Sequence, residues 1–391
     1  VIVLSANKMA RVLIGIDDSR SSAERLTGTE RYSREVVAAL IEIAPQHRFR
    51  LYRRMTNDER QATDDDHRQL STESVTIRQK RLWSHIGLLR ELQARSPDAL
   101  FVPAHVLPFG FRSASLRKRV RSVVTIHDLG FKHFPSAHPL RQRLYLDWSA
   151  RHSATYASVV IADSHATQRD LEHFYDIDPR KIRIAYPALS TLVETSETQT
   201  QRALSKFDLK LQNYVLHIGT LQPRKNLTRL LEAWARLYSQ KKCDNTKLVL
   251  AGGRGWGEDT TQNEVARLGL RDSIVITGYV SDKEKSVLMR NARALVFPSL
   301  HEGFGFPVIE AHSVGVPVAC SNTSSLPEVA GEGALLFDPF DTDAIAQSLE
   351  RVMTDESLRA SLIRQGAQNV ARFSWERCAS IILDALTNDE S

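Results

Sequence analysis

The sequence predicts an α/β protein made of two doubly wound parallel sheets, one in each half of the chain. Apolar runs of strand length alternate with amphipathic stretches of helix length almost from end to end, the pattern of a parallel sheet wrapped by helices. A polar stretch rich in Ser, Thr, Glu and Gln, Leu189 to Gln201, breaks the alternation, and the same pattern then restarts. With 391 residues, 42% hydrophobic and 25% charged, the chain can build two such cores, and disordered, collagenous and coiled-coil classes are excluded.

In the first half, strands are expected at Arg11–Ile16, Phe49–Arg53, Ala99–Val102, Ser122–Ile126, Ser158–Asp163 and Lys181–Ala185, each a short apolar or β-branched run. Helices are expected between them at Thr29–Ile43, Gln79–Ala94, Pro139–Tyr156 and Ala166–Phe174. In the second half, strands are expected at Tyr214–Ile218, Lys247–Ala251, Ser273–Thr277, Ala294–Phe297 and Val316–Ala319, with a helix at Leu227–Leu237 and an amphipathic segment at Ser374–Leu386. Two doubly wound units facing each other leave a cleft, and open α/β sheets bind ligands outside the carboxyl ends of their strands. The loops that follow the strands are therefore where chemistry is to be sought.

Composition narrows the function classes. The longest apolar runs, Val159–Ala162 and Leu248–Gly252, fall far short of the roughly 20 residues a membrane-spanning helix needs. Val1–Ser5 is too short for a signal-peptide core, which makes Met9 the expected natural start. Cys243, Cys320 and Cys378 are odd in number, with neither paired spacing nor a metal-ligand pattern. A reducing, cytoplasmic location and no metal are expected. The net charge of +6 is concentrated in the window 101–150, where Arg112, Arg117, Lys118, Arg119, Arg121, Lys132, Arg141 and Arg143 face only Asp128 and Asp147. Such a surface suits anionic lipid or phosphate, or is simply a solvated face. No RNA-binding motif or recognition helix accompanies it, so nucleic acid is not an expected partner.

The most informative window runs from Ser299 to Glu310. Strand Ala294–Phe297 leads into a turn with two glycines, Gly303 and Gly305, and then into a helix pattern, so backbone N–H groups and a helix N-terminus can cradle an anion. Glu302 opens the turn and Glu310 follows eight positions later, a spacing that can aim both carboxylates into one pocket. Carboxylates accept from vicinal hydroxyls and repel bare phosphate, so a sugar or ribose is the better guest; a glycine turn with a capping Glu is the alternative. Strand Tyr214–Ile218 ends in Gly219, Thr220 and then Arg224-Lys225, two cations at a helix start where a bound anion would offset their unfavourable placement. That marks them as diphosphate candidates, or as solvated turn residues. In the first half His127-Asp128 follows strand Ser122–Ile126 at the cleft edge, and Gly28 precedes a helix where backbone can approach a ligand.

Other patterns lose support in context. The pairs Asp64/Asp66, Asp176/Asp178 and Asp341/Asp343 read as loop, turn and helix-cap residues rather than magnesium ligands. No Walker loop is present, Gly253–Gly257 matches the dinucleotide fingerprint poorly, and Ser164-His165 lacks a nucleophile elbow.

Taken together, Glu302-Gly-Phe-Gly-Phe-Pro-Val-Ile-Glu310 resembles the E-x7-E signature of the GT4 family of retaining glycosyltransferases. Gly219 to Asn226, Leu248–Gly252, Val275–Val280, Val296–Ser299, Gly315–Val318, Ser325–Gly331 and Phe373–Trp375 resemble the same family in the same order, as do Gly28–Tyr32, Val124–Leu129, Ala162–Ser164 and Arg169-Asp170 at fewer places in the first half. The resemblance implies the GT-B fold: a Rossmann-like acceptor-binding domain at 1–190, a Rossmann-like donor-binding domain at 201–374, and a C-terminal helix at about 375–391 packed back onto the first. It implies a nucleotide-sugar donor, GDP-mannose in preference to a UDP-hexose, a saccharide or lipid-linked acceptor, and no required cofactor. By likeness, Glu310 would hold the ribose, Glu302 and the backbone of Gly303, Phe304, Gly305 and Phe306 the donor sugar, and Arg224 and Lys225 the diphosphate. Gly278, Tyr279 and Val280 would lie against the base, His127 would face the sugar and acceptor, and Gly28 would close on the phosphates. The chain departs from many relatives in carrying Thr220 where they have Arg, which would shift phosphate charge onto Arg224 and Lys225. A UDP-sugar glucosyl- or N-acetylglucosaminyltransferase, a GT-B epimerase or phosphorylase, and a catalytically silent nucleotide-sugar binder are the competing readings.

Overall fold

The computed structural model describes residues 11–20, 28–55, 72–79, 82–104, 106–135, 139–189, 192–243, 245–253, 255 and 258–388. Val1–Ser5, Met9, the Asp64/Asp66 pair and part of Gly253–Gly257 lie outside them.

Strands β1 (Leu13–Asp17), β2 (Arg48–Arg54), β3 (Thr72–Ile77), β4 (Ala99–Val102), β5 (Arg121–Ile126), β6 (Val159–Ala162) and β7 (Ile182–Ile184) form a seven-stranded sheet in the order β3-β2-β1-β4-β5-β6-β7. Strands β8 (Tyr214–Ile218), β9 (Lys247–Ala251), β10 (Ile274–Gly278), β11 (Ala294–Phe297), β12 (Val318–Ser321) and β13 (Ala334–Phe337) form a six-stranded sheet in the order β10-β9-β8-β11-β12-β13. Every pairing is parallel. The strand order reverses between β1 and β4, where Ile14 sits opposite Ala99, and between β8 and β11, where Ala294 sits opposite Val215. These switch points open crevices at the strand ends, and both carry candidate residues.

The central strands are buried on both faces, which is why β4, β6 and β11 read as uninterrupted apolar runs. Two strands escaped sequence reading. Both are edge strands: half of the β3 side chains are exposed, and β13 is only four residues long with Phe337 alone fully buried, so neither presents a buried run or a clear alternation. The helix expected at Gln79–Ala94 is instead a π-helical turn, Trp83–Leu88, running into a short α-helix, Leu89–Ala94. A Cβ on Gly87 would stand 2.7 Å from Ile77 Cγ2, so this turn lies hard against β3. The polar break at Leu189–Gln201 is also corrected at its end: Ser196 and Gln199 form a capping box that starts helix Glu197–Lys206.

The C-terminal helix Trp375–Thr387 leaves the second sheet and packs on the first. Cys378, Ala379, Ile382, Ala385 and Leu386 share a core with Ile14, Ile16 and the helix Gly28–Ile43. Arg121 Nε donates to Ala385 O at 2.6 Å, and Arg183 pairs with Asp384.

Candidate active site

The second-domain half of the site is built around the turn after β11. Gly305, at φ 103°, is the N-cap of helix Phe306–Ser313, and a Cβ there would press within 2.7 Å of Leu326 Cδ2. Only glycine meets both demands cheaply. The turn buries Glu302, whose carboxylate accepts from Arg224 Nη1 at 2.8 Å and from Lys225 Nζ. Arg224 Nη1 also donates to His301 O at 2.8 Å, so the two strand-end turns are laced together. Lys225 lies 4.7 Å above the Phe297 ring centroid. Burial pushes the Glu302 carboxyl up, but Lys225 and Arg224 overcome it and hold the group down at about 2. Glu302 is therefore a carboxylate at any working pH.

The turn backbone has further supports that sequence reading missed. Ser324 Oγ accepts from Glu302 N–H at 3.1 Å and donates to Glu302 O at 2.6 Å, while Ser325 Oγ reaches Glu302 O at 2.9 Å and Phe304 O at 2.8 Å. The Phe304 side chain is buried against Phe306 and Phe373, so only its backbone belongs to the pocket. Glu310, on the helix, accepts through Oε1 from Lys285 of the helix Asp282–Arg290, and its Oε2 is buried with no hydrogen-bond partner. Lys285 was not foreseen, because a capping box at Ser281/Glu284 marks its helix but not the face its side chain takes. Gly219 (φ 147°) lies beside Lys225, whose Cε a Cβ at this position would approach to 3.4 Å. Thr220 follows it exposed. Gly278 (φ 69°) ends β10, the exposed Tyr279 follows it, and Val280 packs inward on the core.

The first domain contributes His127 at the end of β5. Its Nδ1–H donates to Asp163 Oδ2 at 2.6 Å and its Nε2–H to Pro103 O at 2.9 Å, and its ring meets Tyr32 edge-on. Both nitrogens face acceptors, so both bonds are made only by the imidazolium. Burial disfavours that charge, but Asp163, by charge and hydrogen bond, raises the pKa above the ordinary histidine value. The expectation that His127 donates to a substrate oxygen thus acquires a condition: Nε2 must first release Pro103 O.

The two domains meet directly at these turns. Ser164 Oγ donates to Gly303 O at 2.6 Å, Arg31 Nη2 to Asp282 Oδ1 at 2.7 Å, and His165 N–H to Glu328 Oε1 at 2.8 Å. A Cβ on Gly303 would fall 2.0 Å from His127 O, so glycine is what lets the turn close on β5. Gly28 faces the same turn from across the cleft, its nearest Cβ contact being the Phe306 ring at 4.0 Å. Contacts thus join Glu302 to Arg224 and Lys225, Gly303 to the His127 backbone, and Gly28 to the helix that carries Glu310.

The first domain also holds a cavity of about 540 Å³, lined by Asp17, Arg20, Glu30, Trp83, His85 and Tyr145 among others. Burial pushes the Asp17 carboxyl up to about 6. Aromatic faces and paired polar groups are the lining a saccharide needs. These residues come from separate segments with no local motif, which is why sequence reading passed over them.

Residues 26–191 match the profile of Glycosyltransferase Family 4, and residues 201–369 that of Glycosyl transferases group 1. O-antigen chain mannosyltransferase B of Escherichia coli is 35% identical over 267 residues, 68% of this chain and 70% of that protein. The serotype-specific mannosyltransferase WbdA of Escherichia coli is 29% identical over 240 residues, 59% of this chain; the aligned part spans only 29% of that relative. Among solved structures, sucrose-phosphate synthase from Thermosynechococcus elongatus superposes with a TM-score of 0.75 at 20% identity, covering 96% of this chain and 98% of that one. Anabaena HepE in complex with UDP and glucose gives a TM-score of 0.69 at 19% identity, covering 97% and 100%. At such identities the structural likeness carries the fold, and the sequence matches carry the family. The chain belongs to the group 1 glycosyl transferases, an enzyme of GT-B architecture.

Proposed function

We propose that the chain is a retaining hexosyltransferase that moves mannose from GDP-mannose to a saccharide or lipid-linked saccharide in polysaccharide assembly. The observation that carries this reading is the pair of buried carboxylates, Glu302 and Glu310, each fixed by a lysine beside the N-terminus of helix Phe306–Ser313. The carboxylates suit sugar and ribose hydroxyls, while the cations and helix N–H groups suit a diphosphate. Breaking the anomeric C–O bond puts negative charge on the leaving diphosphate and positive charge on the sugar. Lys225 and Arg224, held in place by Glu302, would stabilise the first, and the ionised Glu302 would favour the second. The acceptor attacks from the face the diphosphate leaves, and a diphosphate oxygen takes its proton. No enzyme nucleophile is required, and Gly278 to Val280 would meet the base.

The mannosyl preference rests on the Escherichia coli O-antigen chain mannosyltransferase. A UDP-hexose reading is favoured by one finding, the likeness to a fold seen with UDP and glucose. A thermal-shift panel of GDP-mannose, UDP-glucose and UDP-N-acetylglucosamine separates them. The true donor at 100 times its dissociation constant stabilises the chain by roughly 2.7 kcal/mol, and the others do not. A UDP-sugar giving the largest shift overturns the mannose assignment.

The acceptor reading extends to the surface. Leu140, Leu144, Tyr145 and Trp148 project from helix Leu140–Tyr156 together with Phe109, and Arg112, Arg141 and Arg143 flank them. An apolar strip edged by arginines suits an anionic bilayer, at the level of its headgroups, where a lipid-linked acceptor would be presented. The described helices include none long and apolar enough to cross a membrane. Flotation with acidic liposomes is expected to carry the protein upward at low salt and to release it at high salt; protein left at the bottom under both conditions dismisses the contact.

A further inference from the structure

Where the domains touch, three side chains from distant segments converge outside the donor crevice. His133 ends the short helix Gly130–His133, Asp170 lies on helix His165–Tyr175, and His301 precedes Glu302 in the turn after β11. One nitrogen or oxygen from each lies within 4.8 Å of the others. His133 Nε2 is 2.9 Å from Asp170 Oδ1, His301 Nε2 is 3.6 Å from Asp170 Oδ2, and the two imidazoles stack with centroids 4.2 Å apart.

The hydrogen-bond inventory around His301 leaves a specific deficit. Ser324 Oγ has one proton, and Glu302 O at 2.6 Å takes it. The same oxygen lies 3.3 Å from His301 Nδ1, so Nδ1 is the protonated nitrogen and donates to it. His301 Nε2 faces the carboxylate oxygen Asp170 Oδ2. Both atoms are buried without a hydrogen-bond partner, in a His301 side chain only 6% exposed as a residue. At 3.6 Å the two atoms do not hydrogen-bond to each other, and two buried polar atoms left without partners favour a cation held between them. Zinc bound to nitrogen and carboxylate oxygen at its usual lengths holds such atoms about 3.3–3.5 Å apart, close to the spacing here.

We propose that His133, Asp170 and His301 bind a first-row divalent metal, zinc by ligand type, which ties the first domain to the donor-binding turn. Two imidazoles and one carboxylate suit zinc better than magnesium or calcium, which prefer all-oxygen shells. Asp128, close to both histidines, adds negative charge to the site. His301 is bonded to the next residue's supports, so the metal would hold the closed arrangement of the domains without entering the transfer chemistry.

The test is zinc binding by the full chain, independent of any donor or acceptor. Metal-stripped protein is titrated with zinc against a chromogenic chelator, and bound metal is counted after equilibrium dialysis. One zinc per chain is expected, with a rise in Tm. His133→Ala and Asp170→Asn are each expected to weaken binding by at least about 100-fold, the upper range for losing even an outer-shell partner. His173→Ala, an exposed histidine on the same helix as Asp170, serves as the control and is expected to bind as wild type does. Far-UV dichroism of each variant establishes folding, and His133, at the surface, is the position least able to disturb it. No stoichiometric zinc on the wild-type chain overturns the proposal. So does equal affinity in His133→Ala, Asp170→Asn and wild type, which places the metal elsewhere.

Discussion

Gly303→Ala is expected to lower kcat by about 100-fold or more while the donor still binds, because a displacement of about 1 Å at a reacting centre costs that much. The added methyl would lie 2.0 Å from His127 O and 2.9 Å from His127 C, both backbone atoms of a central strand end that cannot swing away. The turn must back off, which also strains the Ser164 Oγ to Gly303 O hydrogen bond. Nucleotide contacts away from the turn, at Glu310 and the end of β10, survive, and the sugar contacts that need the turn against the first domain are lost. Steady-state kinetics with a donor titration reads this as a fall in kcat with a modest change in KM for donor. Wild-type turnover in Gly303→Ala would show that the contact between the two turns has no part in the active arrangement.

Lys225→Ala is expected to reduce kcat/KM by about 100- to 1,000-fold, equivalent to about 3–4 kcal/mol of transition-state stabilisation from one preorganised donor. Lys225 is buried and bonded to Glu302, so its removal also leaves the carboxylate with Arg224 as its remaining charged partner. Breaking a buried pair from one side destabilises by about 3–5 kcal/mol when nothing replaces the lost charge, and Arg224 moderates that here. A Tm measurement alongside the kinetics separates the two effects: a folded variant with the lost rate places Lys225 on the diphosphate. Undiminished turnover removes it from the mechanism.

The contrast between these two positions shows what a sequence can carry. Lys225 and Glu302 stand in local motifs, each at the end of an apolar strand, and the same strand runs of β8 and β11 locate them in the fold. Their mutual ion pair spans 77 positions and is visible only in three dimensions. Gly303 could be read as a close-approach glycine, but its neighbour, the His127 carbonyl, belongs to the other domain. His127 looked like a group free to serve a substrate until Asp163, 36 residues away, and Pro103 were seen to take its two protons. Lys285, Ser324 and the cavity around Asp17 and Trp83 follow the same rule: each is set by tertiary packing, with no periodicity or spacing of its own. β3 and β13 were missed for the opposite reason, since sheet edges are held by backbone hydrogen bonds that many side chains tolerate.

The most direct trial of the donor assignment is isothermal titration of sugar nucleotides into the intact wild-type chain, repeated with Glu310→Gln. One sugar nucleotide is expected to bind one-to-one with wild type and more weakly with the variant, whose amide no longer matches Lys285 and the ribose hydroxyls. If GDP-mannose and the UDP-hexoses alike produce no binding heat and no competition with a labelled nucleoside diphosphate, the crevice between Glu302 and Glu310 does not hold an activated sugar.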